Sequence, residues 1–161
     1  MELTLTSTDW RNTSYQSDCA GESATQLSVT IRDGVGEVPP ADPGFAPSEF
    51  WVESSAVGDL TGDDRPEAAV VLACHPSNSN FAVWEILVFA EGPTRLAQIV
   101  VEPLPDALYP GVDFASDELA IKDGGLTVGV MYYGPEDCHS CGPSIHRELS
   151  WRWNGQQFVQ Y

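Results

Sequence analysis

The sequence predicts a mainly β domain, a β-rich α+β fold in which an antiparallel meander of hairpins carries one or two short helices. Three observations predict it. Short runs alternate apolar with polar residues, tight-turn dipeptides separate these runs, and no stretch of about twelve residues has a helical apolar period. The chain has 161 residues, of which 42% are hydrophobic, so we expect a single β-rich domain over 1–161 with its own core.

The N-terminal third begins with a segment that favours helical turns and continues with a strand. In STDWRNTSY, Ser7 or Thr8 has the side chain of a helix cap. QLSVTIRDG alternates Leu27, Val29 and Ile31 with polar neighbours and stops at an Asp-Gly pair, which is typical of a half-buried strand.

The middle of the chain combines a loop with apolar strands. VGEVPPADPGFAP (35–47) contains four prolines and predicts a loop, and 50–57 can be extended. EAAVVLAC is a nearly continuous apolar run with β-branched residues and is short, which predicts a central strand. AVWEILVFA and RLAQIVV, joined by EGPT, predict a hairpin.

Two more hairpins are expected in the last third. DELAIKDGGLTVGVMYY turns at 122–125, and HRELSWRWNGQQFVQY turns at Asn154-Gly155, which we predict to be a type I′ turn. Leu149, Trp151 and Trp153 share one face of the last hairpin because side chains alternate along a strand.

The net charge of −17, with only seven Lys plus Arg, restricts the classes of partner. Such a surface repels nucleic acid and anionic lipid, whereas it favours solubility and divalent cations. Acidity as an adaptation to solvent or salt explains the same balance. No run approaches the roughly 18 apolar residues of a membrane helix, so no transmembrane segment is expected.

Cysteine and lysine usage favours an extracytoplasmic protein. There are four cysteines and a single lysine, Lys122, and we expect that an export signal preceded Met1 and was removed. A cytoplasmic protein is the alternative. We favour two disulfides, Cys19 with Cys74 and Cys138 with Cys141. The first ties the N-terminal segment to the strand after the acidic loop, and the second stiffens a short loop.

The stretch GDLTGDDRPEAAVV (58–71) has the pattern of a calcium loop. Calcium binds six to eight hard oxygens, and a turning loop directs alternate residues at one centre. The candidate ligands are Asp59, Thr61, Asp63, the backbone carbonyl of Arg65, and Glu67. An EF-hand is excluded because Val70 replaces its bidentate acid and Asp64 its glycine. The alternative is a turn closed by its own Asp side chains, without metal, and it is slightly favoured.

CHSC (138–141) is a C-x-x-C motif, which thiol oxidoreductases of the thioredoxin type place at the start of a helix. Gly142-Pro143 follows it at once, so a structural disulfide is favoured and an oxidoreductase at Cys138/Cys141 is the alternative. A zinc site is a further alternative. Its ligands would come from Cys138, Cys141, His139, His146 and the distant His75.

The aromatic residues allow a binding function. Five tryptophans could stack on sugar rings or peptide side chains, although most are expected in the core. Trp151 and Trp153, near the last hairpin, are the candidate ligand-binding pair.

The order of motifs resembles the LppP/LprE-type secreted lipoproteins of bacteria. WRNTSY precedes Cys19, the IRDG turn follows, GDLTGDDRPEAAVVLAC carries both the acidic loop and Cys74, and CHSCGPS precedes a strand ending in W-N-G-x-x-F. The acidic loop by itself is similar to a single FG-GAP or VCBS-type calcium loop. The first resemblance implies export, an envelope location, the Cys19–Cys74 pairing and no catalytic residues.

From these observations we expect a non-enzymatic, exported envelope domain that binds or assembles with an unidentified protein or envelope ligand. Two disulfides, and calcium as a candidate cofactor, would stabilise it. The alternatives are a thiol oxidoreductase using Cys138/Cys141 and a carbohydrate- or peptide-binding module.

Overall fold

Antiparallel β-strands form most of the chain in the computed structural model, which describes residues 5–19, 26–77, 79–91 and 94–161. The strands are β1 (Ser14–Ser17), β2 (Leu27–Thr30), β3 (Val35–Val38), β4 (Ser48–Gly58), β5 (Glu67–His75), β6 (Val83–Ala90), β7 (Thr94–Ile99), β8 (Val112–Lys122), β9 (Gly125–Tyr132), β10 (Ile145–Trp153) and β11 (Phe158–Gln160). The predicted mainly β fold is confirmed.

The strands form three sheets. The central sheet has the order β3-β4-β5-β6-β7, the outer sheet has the order β11-β10-β9-β8, and β1 and β2 form a hairpin sheet. The central sheet lies in the middle, because one hydrophobic core separates it from the hairpin sheet and a second separates it from the outer sheet.

Strand β5 is buried on both faces, which explains the unbroken apolar run over residues 68–74. Val70 and Leu72 belong to the core under the hairpin sheet, whereas Ala69 and Val71 belong to the core under the outer sheet. The prediction that EAAVVLAC forms a central strand is confirmed.

The expected short helices are two 3-10 turns, Leu5–Ser7 and His139–Cys141, and these are the helical segments of the described residues. Ser7 ends the first turn and does not cap a longer helix. The end of STDWRNTSY forms β1 instead, because Tyr15 and Ser17 alternate into the core and β1 pairs with β2.

Of the two predicted hairpin turns in the last third, one forms as expected and one has a different type. Asp123 and Gly124, with φ of 52° and 74°, form the predicted tight turn between β8 and β9. The last hairpin is present, but the prediction of a type I′ turn at Asn154-Gly155 is wrong. Trp153 pairs with Phe158, so four residues intervene. The Asn154 side chain accepts the N–H groups of residues 156 and 157, an arrangement that competes with a two-residue turn.

Strand β3 lies in the segment predicted as a loop. Residues 35–38 pair with β4 and form an edge of the central sheet, whereas the prolines begin only at Pro39. Gly36 permits this edge, because a Cβ there would lie 2.7 Å from the carbonyl oxygen of Thr30. The loop prediction is therefore wrong for 35–38.

Candidate functional site

In the acidic loop, the aspartates bind the loop's own backbone. Asp59 accepts the N–H of Gly62 at 2.6 Å with one oxygen and that of Asp64 at 3.0 Å with the other. Asp63 accepts the N–H of Arg65 at 3.0 Å. Gly62 and Asp64 have positive φ, 78° and 63°, which bends the loop tightly enough for these contacts.

Glu67, the last expected calcium ligand, is buried and points into the same turn. Its side chain accepts the N–H of Leu60 at 2.7 Å, the N–H of Thr61 at 3.0 Å and the Thr61 hydroxyl at 3.3 Å. Backbone donors of the loop bind the carboxylates of Asp59 and Glu67, so these residues close the turn themselves. Among the described residues, no group of three or more His, Cys, Asp or Glu is arranged to hold a metal. Calcium binding stays a prediction.

The four cysteines form the two expected pairs at disulfide distance. The Cα atoms are 5.9 Å apart for Cys19 and Cys74, and 5.1 Å apart for Cys138 and Cys141. This pairing removes the thiolates that the zinc alternative requires. The environments of the two pairs differ: Cys19 and Cys74 are each 2% exposed, whereas Cys138 and Cys141 are exposed.

The tryptophan pair predicted as a stacking surface does not form one. Trp151 is only 5% exposed and lies in the core under the outer sheet. Trp153 is half-buried, with its ring centroid 5.0 Å from that of Phe158. Trp151 is buried because its side chain faces the core between the outer and central sheets.

A groove that sequence analysis missed lies at the β3 edge of the central sheet. We call it the edge groove; it has a volume of about 410 Å³ and is lined by Val35, Gly36, Glu37, Glu49, Phe50 and Trp51. The pairing of β3 with β4 places Val35 opposite Trp51, and Glu37 opposite Glu49. These four side chains share one face because residues two apart on a strand point the same way.

The edge groove is open because the outer sheet covers only part of this face. Ile121 of β8 packs against Gly58 at the far end of β4, where an added Cβ would lie 2.7 Å from its side chain. At the near end, the half-buried Trp51 lies edge-to-face with Trp84, their ring centroids 6.3 Å apart, and Val35 is 61% exposed. An apolar surface is therefore accessible beside two acids.

Glu37 and Glu49 face each other across the strands as like charges. Both are exposed, and the ion pairs found among the described residues involve neither. Directly opposed like charges destabilise a sheet. Glu49 also lines a second depression of about 360 Å³, beside His75 and Asn80, so the two depressions adjoin at this residue.

The cysteine loop packs on a cluster of aromatic rings. The His139 ring centroid lies 4.4 Å from that of Phe81 and 5.5 Å from that of Tyr109, and Tyr109 contacts Tyr133 at 5.6 Å. Burial raises the pKa of Tyr133, and the nearby carboxylate of Asp113 acts in the same direction.

Asp137 fastens the two ends of this loop. Its Oδ2 atom accepts the N–H of Gly134 at 2.7 Å, the N–H of Ser144 at 3.1 Å and the Ser144 hydroxyl at 2.8 Å. These hydrogen bonds, first that from Gly134, hold the pKa of Asp137 below its usual value. The loop therefore has an anchor besides its cysteines.

A buried acid, Glu85, joins the hairpin sheet to the central sheet. It accepts the Ser17 hydroxyl at 2.6 Å and the side-chain amide of Gln98. Burial raises the pKa of Glu85, although the hydrogen bonds from Ser17 and Gln98 oppose this shift. The side chains of Glu85, Ser17 and Gln98 therefore connect the two sheets and are not available to a ligand.

Comparison of the chain with protein-family models, curated proteins and solved structures found no match. In the described part of the chain, no helix has the length and apolar character needed to cross a membrane. The two cysteine pairs at disulfide distance are compatible with an extracytoplasmic location.

Proposed function

We propose that this chain is a non-enzymatic, exported domain of the cell envelope that binds a basic peptide segment of a partner protein in the edge groove. The observation that carries the proposal is that the opposed carboxylates of Glu37 and Glu49 form no ion pair within the described residues and lie beside the accessible indole of Trp51.

This combination suits an Arg or Lys side chain. A guanidinium placed between the two carboxylates relieves their repulsion and forms charge-assisted hydrogen bonds. The face of Trp51 can hold the same cation by a cation–π contact, while Val35 provides apolar surface for the aliphatic stem.

An extended ligand fits better than a compact one, because the second depression continues from Glu49 towards His75. The net charge of −17 attracts basic partners from a distance and speeds their encounter. The groove would provide the local specificity that a diffuse charge lacks.

The envelope location rests on the exposed and buried cysteine pairs together with the resemblance to LppP/LprE-type lipoproteins. Disulfides persist in oxidising compartments and are rare in the cytosol. An acidic, disulfide-linked surface domain that holds a basic segment of another envelope protein would act in assembly.

Titration calorimetry with a capped Gly-Arg-Arg-Gly peptide tests the proposal. We expect binding that the double variant E37Q/E49Q weakens by about tenfold or more, because it removes both charged acceptors. W51A should weaken binding by a smaller factor, and a capped Gly-Gln-Gln-Gly peptide should not bind.

The matched control is E91Q/E148Q, which changes the net charge equally at two exposed positions away from the groove. If both double variants weaken binding to the same extent, the peptide senses only the overall charge and the groove is not the site. Undiminished binding by E37Q/E49Q would also contradict the proposal.

A further inference from the structure

The two cysteine pairs differ in how easily a thiol can reach them. Exchange requires a thiolate to approach a disulfide sulfur directly. Cys19 and Cys74 lie in the core between the hairpin and central sheets, whereas Cys138 and Cys141 lie in an exposed 3-10 turn. Only the second pair is open to attack in the folded protein.

The loop that carries this exposed pair is closed by hydrogen bonds as well as by the disulfide. Asp137 binds both Gly134 and Ser144, which closes the loop around the cysteines. Inside it, the N–H of Cys141 donates to the carbonyl of Cys138 at 3.1 Å. The ring of His139, between the two cysteines, rests on Phe81.

We expect these contacts to keep the two cysteine backbones together when the sulfur–sulfur bond is broken. Two thiols that stay close have a high effective concentration, so the bond can form again readily.

We propose that Cys138 and Cys141 form a reversible dithiol–disulfide site that exchanges with an external dithiol, while Cys19–Cys74 stays oxidised as a structural bond. This goes beyond the binding function of the edge groove and rests on different residues.

The exchange has two steps. A thiolate of the external dithiol attacks Cys141 Sγ, the Cys138–Cys141 bond breaks, and its electron pair leaves on Cys138 Sγ, which takes a proton from water. The Ser140 hydroxyl, 3.6 Å from Cys138 Sγ, can donate a hydrogen bond to that leaving thiolate. The second thiolate of the dithiol then attacks the dithiol's own sulfur in the mixed disulfide, and the electron pair of the broken bond leaves on Cys141 Sγ, which takes a proton from water. The protein thereby gains two electrons and the dithiol becomes a disulfide.

The first test is a redox titration of the whole chain in dithiothreitol buffers, with alkylation and mass spectrometry to count each cysteine. We expect Cys138–Cys141 to be half reduced at a ratio of reduced to oxidised dithiothreitol at least tenfold lower than Cys19–Cys74. That difference corresponds to about 30 mV. Near-UV circular dichroism should stay native while only this pair is reduced. Simultaneous reduction of both pairs, or loss of the native spectrum with the exposed pair, would overturn the proposal.

The second test removes the hydrogen bonds by which Asp137 closes the loop. D137A should lower the equilibrium constant for closing the Cys138–Cys141 bond by about tenfold, because the reduced loop then opens. S144A, which removes one of the three bonds, should give a smaller shift in the same direction. E136A, the neighbouring exposed acid without those bonds, is the control and should match the original protein. Equal behaviour of D137A and E136A would overturn the proposal.

Discussion

The acidic loop and the edge groove both carry carboxylates, but the carboxylates meet different partners. In the loop, Asp59 and Glu67 accept hydrogen bonds from backbone N–H groups of the same turn. In the groove, Glu37 and Glu49 face each other without an ion pair in the described structure. The loop is richer in acids, but its acids already have donors.

This difference separates a structural acid from a binding one. A carboxylate that satisfies buried backbone donors is needed for folding, and removing it leaves those donors unpaired. A carboxylate held against another acid on a formed sheet costs stability, so a ligand that pairs with it regains that cost. Changes at the two places should therefore have opposite effects on the free energy of unfolding.

The largest expected effect is at Glu67. E67A should lower the free energy of unfolding by about 3 kcal/mol, because the N–H groups of Leu60 and Thr61 lose a charged acceptor. Urea denaturation followed by tryptophan fluorescence measures this. The control is D63A, which removes one exposed contact in the same loop. It should change the free energy of unfolding by at most about 0.5 kcal/mol. A loss under about 1 kcal/mol for E67A would show that Glu67 does not hold the turn.

In the edge groove we expect a smaller change in the free energy of unfolding, and in the opposite direction. E37Q/E49Q should raise the free energy of unfolding by about 0.5 kcal/mol, because the variant removes a directly opposed pair of like charges. The same denaturation experiment applies, and the gain should shrink in high salt as charges are screened. E91Q/E148Q corrects for the overall charge. Destabilisation by E37Q/E49Q would mean that these acids serve the fold, as those of the loop do.

The smallest effect is expected from calcium. Because Asp59 and Glu67 already bind backbone donors, millimolar calcium should raise the melting temperature no more than millimolar magnesium does. Thermal melts with each ion, and in EDTA, compare them. A calcium-specific rise that D63A abolishes would show that the loop rearranges around a metal, and the contrast with the groove would then fail.

Much of the fold could be predicted from local pattern. The apolar run of β5, the alternation of β2 and the Asp123-Gly124 turn each reflect a rule that acts over a few residues. The cysteine pairing was also correct. Strand β3 escaped prediction because nearby prolines dominate its composition, although they begin just after it.

The site could be predicted less well. GDLTGDDRPEAAVV is a conspicuous pattern, yet pattern alone does not tell whether its oxygens turn to a cation or to backbone N–H groups. Each of the segments Val35–Glu37 and Glu49–Trp51 carries an acid two residues from an apolar side chain. That these four side chains form one groove depends on the pairing of β3 with β4, which the sequence does not show.

The sequence by itself determined the β class, the acidic surface and the double-faced central strand, because these follow from composition and short-range periodicity. Tertiary structure alone decided that Trp151 is buried, that Glu67 closes a turn, and that Glu37 and Glu49 meet beside Trp51. The physical reason is that burial and charge pairing depend on strands distant in the chain, and their positions are set only when the sheets pack together.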